Sequence, residues 1–103
     1  MNTRTPRMYV LVRKDLSETY RCVQGTHAVA QYALEQSDLF RVWGNQTIVF
    51  LGVSNLLALR AWNEKLIAAG KHFSVFREPD LDGQETAIAC FDLGDIFKDL
   101  HLV

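Results

Sequence analysis

Cysteine is scarce in this chain: Cys22 and Cys90 are the only two in 103 residues. They are isolated and form no CxxC pair, which excludes a disulfide framework, a cysteine-based metal site and a dithiol redox motif. Both are expected to be buried, reduced thiols. Long apolar runs are also lacking. None approaches the ~20 residues of a membrane span. Met1 to Arg7 has no apolar core of the kind that marks a secretion signal, so a cytoplasmic protein is expected. Internal repeats and low-complexity segments are missing, so a repeat architecture is not expected. The 49% hydrophobic and 22% charged composition is that of a globular chain, and its length suits one domain over residues 1–103.

Excess charge of one sign is lacking too, since the formal net charge is −1. That small value hides an asymmetry. Residues 1–77 carry +5 and residues 78–103 carry −6. The acidic end argues against a protein coated in nucleic acid. A local basic surface of Arg4, Arg7, Arg13, Lys14 and Arg21 stands against the bland alternative of scattered solvated charges.

What is present is a clear alternation of patterns. Met8 to Val12 is an apolar run bounded by charge, which predicts a central strand covered on both faces. A polar loop follows, with Ser17 or Thr19 able to cap a helix. From Tyr20 to Gln36 the spacing predicts a helix with Val23, Ala30, Ala33 and Leu34 on its inner side and His27 on that face or at its edge. Leu39 to Trp43 reads as a helical turn or a packing loop. Thr47 to Val53 predicts a second strand, Leu56 to Ala69 an amphipathic helix, and His72 to Phe91 a β-hairpin turned at Pro79 to Gln84. Asp95 to Leu100 predicts a short helical tail. The order β-α-β-α-β-β-α implies a single α/β domain: a four-stranded mixed β-sheet with helices on both faces.

In such a sheet, ligands bind beyond the carboxyl ends of the parallel strands. This topology gathers Gln24, Thr26, His27, Glu78, Asp80 and Thr86 at one rim. A histidine beside a carboxylate is a usable acid–base pair, and a hydroxyl can orient water or an oxyanion. Each has an ordinary structural reading as well: a core histidine, turn acids stiffened by Pro79, a strand threonine. His72 and His101 have no comparable setting.

The stretches Val12-Arg13-Lys14-Asp15-Leu16 and Val23-Gln24-Gly25-Thr26-His27-Ala28 resemble the archaeal and eukaryotic type of peptidyl-tRNA hydrolase, whose pattern is Lys-x-Ala-Ala-Gln-Cys-Ser-His-Ala. Gly83-Gln84-Glu85-Thr86-Ala87-Ile88 is similar to that family's last strand. Phe76-Arg77-Glu78-Pro79-Asp80-Leu81 looks like a short bacterial and phage branch. The resemblance covers nearly the whole chain. It implies an esterase cleaving the bond between a peptide, or an N-blocked amino acid, and tRNA. His27, Glu78 and Thr86 would be its catalytic residues. Arg13, Lys14, Arg21, Gln24, Thr26 and Asp80 would bind substrate. It implies a homodimer that needs no metal or organic cofactor. Two departures are visible: the family's lysine falls on Tyr20, and its aspartate lies in a hairpin segment shortened here, so that Glu78 or Asp80 stands in, Glu78 being favoured by its place at a strand end. The alternative class is a catalytically inactive family member that binds a nucleic-acid end or a protein.

Overall fold

The computed structural model describes residues 5–103. Its elements are β1 (Arg7–Arg13), α1 (Glu18–Glu35), α2 (Ser37–Trp43), β2 (Ile48–Val53), α3 (Leu56–Ala68), β3 (Phe73–Glu78), a 3-10 turn (Pro79–Leu81) and β4 (Gln84–Asp92). One four-stranded sheet has the order β2-β1-β4-β3. β1 and β2 are parallel, and β4 is antiparallel to both its neighbours. β1, β2 and β3 therefore all run the same way.

β1 is central because Met8 to Val12 is apolar on both faces, and those residues are buried. β4 is the other central strand, with Ala87 to Cys90 buried on both sides. On one face Met8, Val10, Val12, Ala87 and Ala89 pack against Ala28 and Tyr32 of α1 and Trp43 of α2. On the other, Tyr9, Leu11, Ile88 and Cys90 pack against Leu59 and Leu66 of α3. Helices cover both faces, as the alternation predicts. β2 is an edge strand, and the chain end shields it: Gly52 N–H donates to His101 O at 3.0 Å and Val103 N–H to Phe50 O at 3.2 Å.

Three expectations are settled or corrected. The ambiguous stretch before Gly44 is a helix, α2, which Gly44 stops with φ +69°. The tail Asp95 to Leu100 forms turns rather than a helix. Its path is set by the Asp92 carboxylate, which accepts Gly94 N–H at 2.7 Å and pairs with Lys71. It is also set by Phe97, which inserts beside Tyr9 and Trp62.

The third correction is the phase of α1. Its inner face is Gln24, Gly25, Ala28 and Tyr32, while Val23 and Leu34 are 43% and 80% exposed and Ala30 is exposed too. The buried face lies roughly 180° round the helix from the one its aliphatic residues suggest. Two contacts select this phase. A Cβ on Gly25 would overlap the Phe50 ring and lie 3.2 Å from Val10, so only glycine lets the helix sit this low. Gln24 finds hydrogen-bond partners inside, which removes the usual cost of burying an amide. Cys22, expected inside, is consequently exposed, whereas Cys90 is buried as expected.

Candidate functional site

Ser17 caps α1 by accepting the Tyr20 N–H at 3.2 Å, so the helix begins just outside the carboxyl end of β1. Its first two turns cross the ends of β3 and β4. Tyr20 and Gln24 are four residues apart and share the face turned to the sheet. β3 ends at Glu78, whose side chain caps the following 3-10 turn by accepting Asp80 N–H at 3.2 Å.

These elements meet in one hydrogen-bond chain. Thr86 Oγ1 donates to Gln24 Oε1 at 2.5 Å. Gln24 Nε2 donates to Glu78 Oε1 at 2.8 Å, and the Tyr20 hydroxyl donates to the same oxygen at 3.2 Å. Gln24 and Thr86 are fully buried, and Glu78 is 8% exposed. The amide is held at both ends, so its orientation follows from the network. The Gln24 donor is the main reason the Glu78 carboxyl lies below its ordinary value of 4.5. The Asp80 N–H and Tyr20 reinforce this, and burial opposes it. The Tyr20 phenol is pushed up, first by burial and then by its bond to Glu78. At neutral pH the unit is therefore an ionised carboxylate and a protonated phenol.

His27 lies one turn beyond Gln24. Its ring stacks on Phe76, with centroids 4.4 Å apart and planes 8° from parallel. It is exposed rather than inward-facing, and no hydrogen bond joins it to Glu78. The charge of His27 still contributes to holding the Glu78 carboxyl down, as the weakest of the causes. Beside it is a shallow groove of about 260 Å³ lined by Cys22, Val23, Thr26 and His27.

No family model matches this chain, and no curated protein matches it. Solved structures do match, among them the following. A protein of unknown function from Agrobacterium tumefaciens strain C58 aligns with a TM-score of 0.65 at 14% identity, over 98% of this chain and 99% of that one. The likeness shows the shared fold.

The structure thus brings Gln24, Glu78 and Thr86 together, as the topology predicts, with His27 at their edge. Thr86 is sealed behind Gln24 with its proton committed, so it positions the amide and touches no substrate. Thr26 points away and donates to Cys22 O at 2.8 Å. Asp80 contributes its backbone N–H, and its side chain is exposed. The basic loop is largely self-satisfied. Arg13 is buried and clamps Asp15 at 3.0 and 2.7 Å, Gln84 Oε1 at 3.0 Å and Glu85 O at 3.1 Å. Arg21 donates to Leu16 O at 2.8 Å and Lys14 O at 2.6 Å, pinning the loop. Lys14 is exposed. Arg7 sits at the opposite end of β1, and Arg4 lies outside the described residues. The residue that sequence reasoning left out of the site is Tyr20. Its signal lies in the spacing: it is four residues before Gln24, on the same side of α1. Among the described residues, no three His, Cys, Asp or Glu side chains gather to hold a metal ion, and no helix is long and apolar enough to cross a membrane.

Proposed function

We propose that this protein is an ester hydrolase of the peptidyl-tRNA type, acting in the cytoplasm on the bond between a peptide, or an N-blocked amino acid, and the 3′ ribose of tRNA. The observation that carries the reading is the Thr86–Gln24–Glu78–Tyr20 hydrogen-bond chain, buried at Thr86, Gln24 and Glu78, with the exposed imidazole of His27 one helical turn beyond Gln24. A water at His27 gives its proton to the ring as its oxygen attacks the ester carbonyl. The ring then returns the proton to the departing ribose oxygen. Tyr20, Gln24 and Thr86 hold Glu78 ionised and in place. These steps need no metal or organic cofactor. The direct test is release of N-blocked amino acid from tRNA by the purified chain. Absence of turnover by folded protein would sink the proposal.

A binding module for a nucleic-acid end or a protein is the second reading. It is favoured by Tyr20 at the family's lysine position and by the lack of a bond between His27 and Glu78. Turnover separates the two.

Phosphate contacts should be few. Arg13 is committed to Asp15, which leaves Lys14 and the remaining donors of Arg21. Each phosphate contact on a single-stranded end contributes about −0.7 to the slope of log K against log salt, so the slope for tRNA should be about −1.4. Lys14→Ala should make it shallower by about 0.7 without disturbing the loop. Salt-independent binding, measured by filter retention, would exclude recognition by this loop.

The exposed Val23, Ala30 and Leu34 stripe on α1 supports a homodimer. Sedimentation at micromolar concentration should then give twice the mass of one chain, and a single-chain mass at all concentrations would remove the dimer.

A further inference from the structure

At the other end of the sheet lies a cleft of about 520 Å³, lined by Thr5 and Pro6 ahead of β1, Tyr32 of α1, Leu39, Val42 and Trp43 of α2, the Gly70 to His72 connection, and Phe91 of β4. Along α1, Tyr32 is eight residues from Gln24, about 12 Å, so this cleft is separate from the Glu78 network. Its size is in the range of small-molecule sites, which are mostly apolar with a few placed polar groups. Both features are present. Tyr32 and Phe91 meet edge to face at 4.9 Å, and Trp43 and Phe91 lie 5.3 Å apart, forming an aromatic wall. A Cβ on Gly70 would meet nothing within 4 Å, so the floor beside it is open. At the lip, Val42 is 86% and Leu39 43% exposed.

The polar groups are the second observation. Tyr32 is 1% exposed, and its hydroxyl has no hydrogen-bond partner among the described residues. The Trp43 indole nitrogen is sealed from solvent and unpartnered, and Trp43 and Tyr32 both line the cleft. Lys71 and His72 stand at the rim. Asp92 pairs with the Lys71 ammonium, and the Lys71 side chain as a whole is about one third exposed.

We propose that this cleft binds a small planar apolar molecule carrying an anionic group, such as an aromatic carboxylate. The flat part would lie against Tyr32, Trp43 and Phe91. The acid would accept from the Tyr32 hydroxyl and face Lys71 and His72. The proposal stands apart from the esterase reading and rests on different residues.

The probe is 2-naphthoate, titrated into the full chain while the two tryptophan indole N–H signals are followed by NMR. The Trp43 signal should shift and saturate with a Kd below about 1 mM, while the Trp62 signal stays put. The neutral 2-naphthalenemethanol should bind at least ~5-fold more weakly. Tyr32→Phe should weaken 2-naphthoate by about 5-fold, the loss of one hydrogen bond. Val42→Asp, on an exposed side chain, should weaken it by a similar factor through like charge. Three results would each overturn the proposal. They are no saturation at 1 mM in folded protein, equal binding of the neutral compound, or wild-type affinity in both variants. A chain that sediments as a dimer and takes up no probe would assign the cleft to a second copy, and also overturns it.

Discussion

Gln24→Leu will lower stability by about 2–3 kcal/mol, because it keeps the volume but removes both hydrogen bonds of a fully buried amide. Thr86 then holds a buried hydroxyl without its 2.5 Å acceptor; the remaining candidate, Phe76 O, is 3.5 Å away. Glu78 loses its 2.8 Å donor and keeps Tyr20 and the Asp80 N–H. For a domain of this size, that loss corresponds to a fall of about 10–20 °C in Tm. Thr86→Val alone leaves the amide oxygen of Gln24 unpaired. The double variant removes both partners, so it should cost less than the sum of the singles by about 1 kcal/mol. Additive losses in calorimetry would mean that the two side chains act independently.

The same variant has a pH signature. Glu78 sits below its ordinary value of 4.5 in the folded chain, with the Gln24 donor as the first cause. A carboxyl depressed on folding stabilises fully above its unfolded value, and that contribution is lost as pH falls through the folded value. Without Gln24 the folded value moves toward 4.5 and this contribution is already missing at neutral pH, so the stability gap between wild type and Gln24→Leu should narrow as pH falls through 4.5. Denaturant midpoints read by circular dichroism from pH 6 downward check this, with a gap that does not change with pH as the contrary result.

Why α1 was misphased explains much of what the sequence hid. Val23 and Leu34 are aliphatic, and a count of aliphatic residues turns them inward. The actual inner face is Gln24, Gly25, Ala28 and Tyr32, where the decisive properties are smallness and a satisfied amide. Neither is legible from hydropathy, because the partners of Gln24 come from β3 and β4, more than fifty residues later. The strands were easier. Met8 to Val12 and Ala87 to Cys90 carry their two-sided burial in an unbroken apolar run. Glu78 was legible as a strand-end acid, and Tyr20 from its spacing to Gln24. Arg13 was not: its charge looked available for phosphate, yet Asp15 two residues on and the β4 start consume its donors. The tail failed for a related reason. Asp95 to Leu100 has a helical look, but Asp92 caps Gly94 and Ile96 and Phe97 anchors in the core, so turns satisfy the segment better.

If the chain is the esterase proposed above, His27→Ala should reduce cleavage of N-blocked aminoacyl-tRNA by about 100-fold, or ~2.7 kcal/mol of transition-state stabilisation, while leaving the fold intact. The two halves of that expectation come from different facts. The side chain is exposed and makes no hydrogen bond among the described residues, so removing it sacrifices its stacking on Phe76 and no polar partner. Its Tm should therefore stay close to wild type, unlike that of Gln24→Leu. The rate loss should follow the role of the ring as the group that exchanges a proton with water. His27→Asn, which keeps a polar group but cannot take a proton near neutral pH, should be as slow as His27→Ala. His27→Phe should retain the stacking on Phe76 and be equally slow. A His27→Phe variant that cleaves at the wild-type rate would mean that the ring serves only to pack, and the proton-transfer role would pass to a group outside this network.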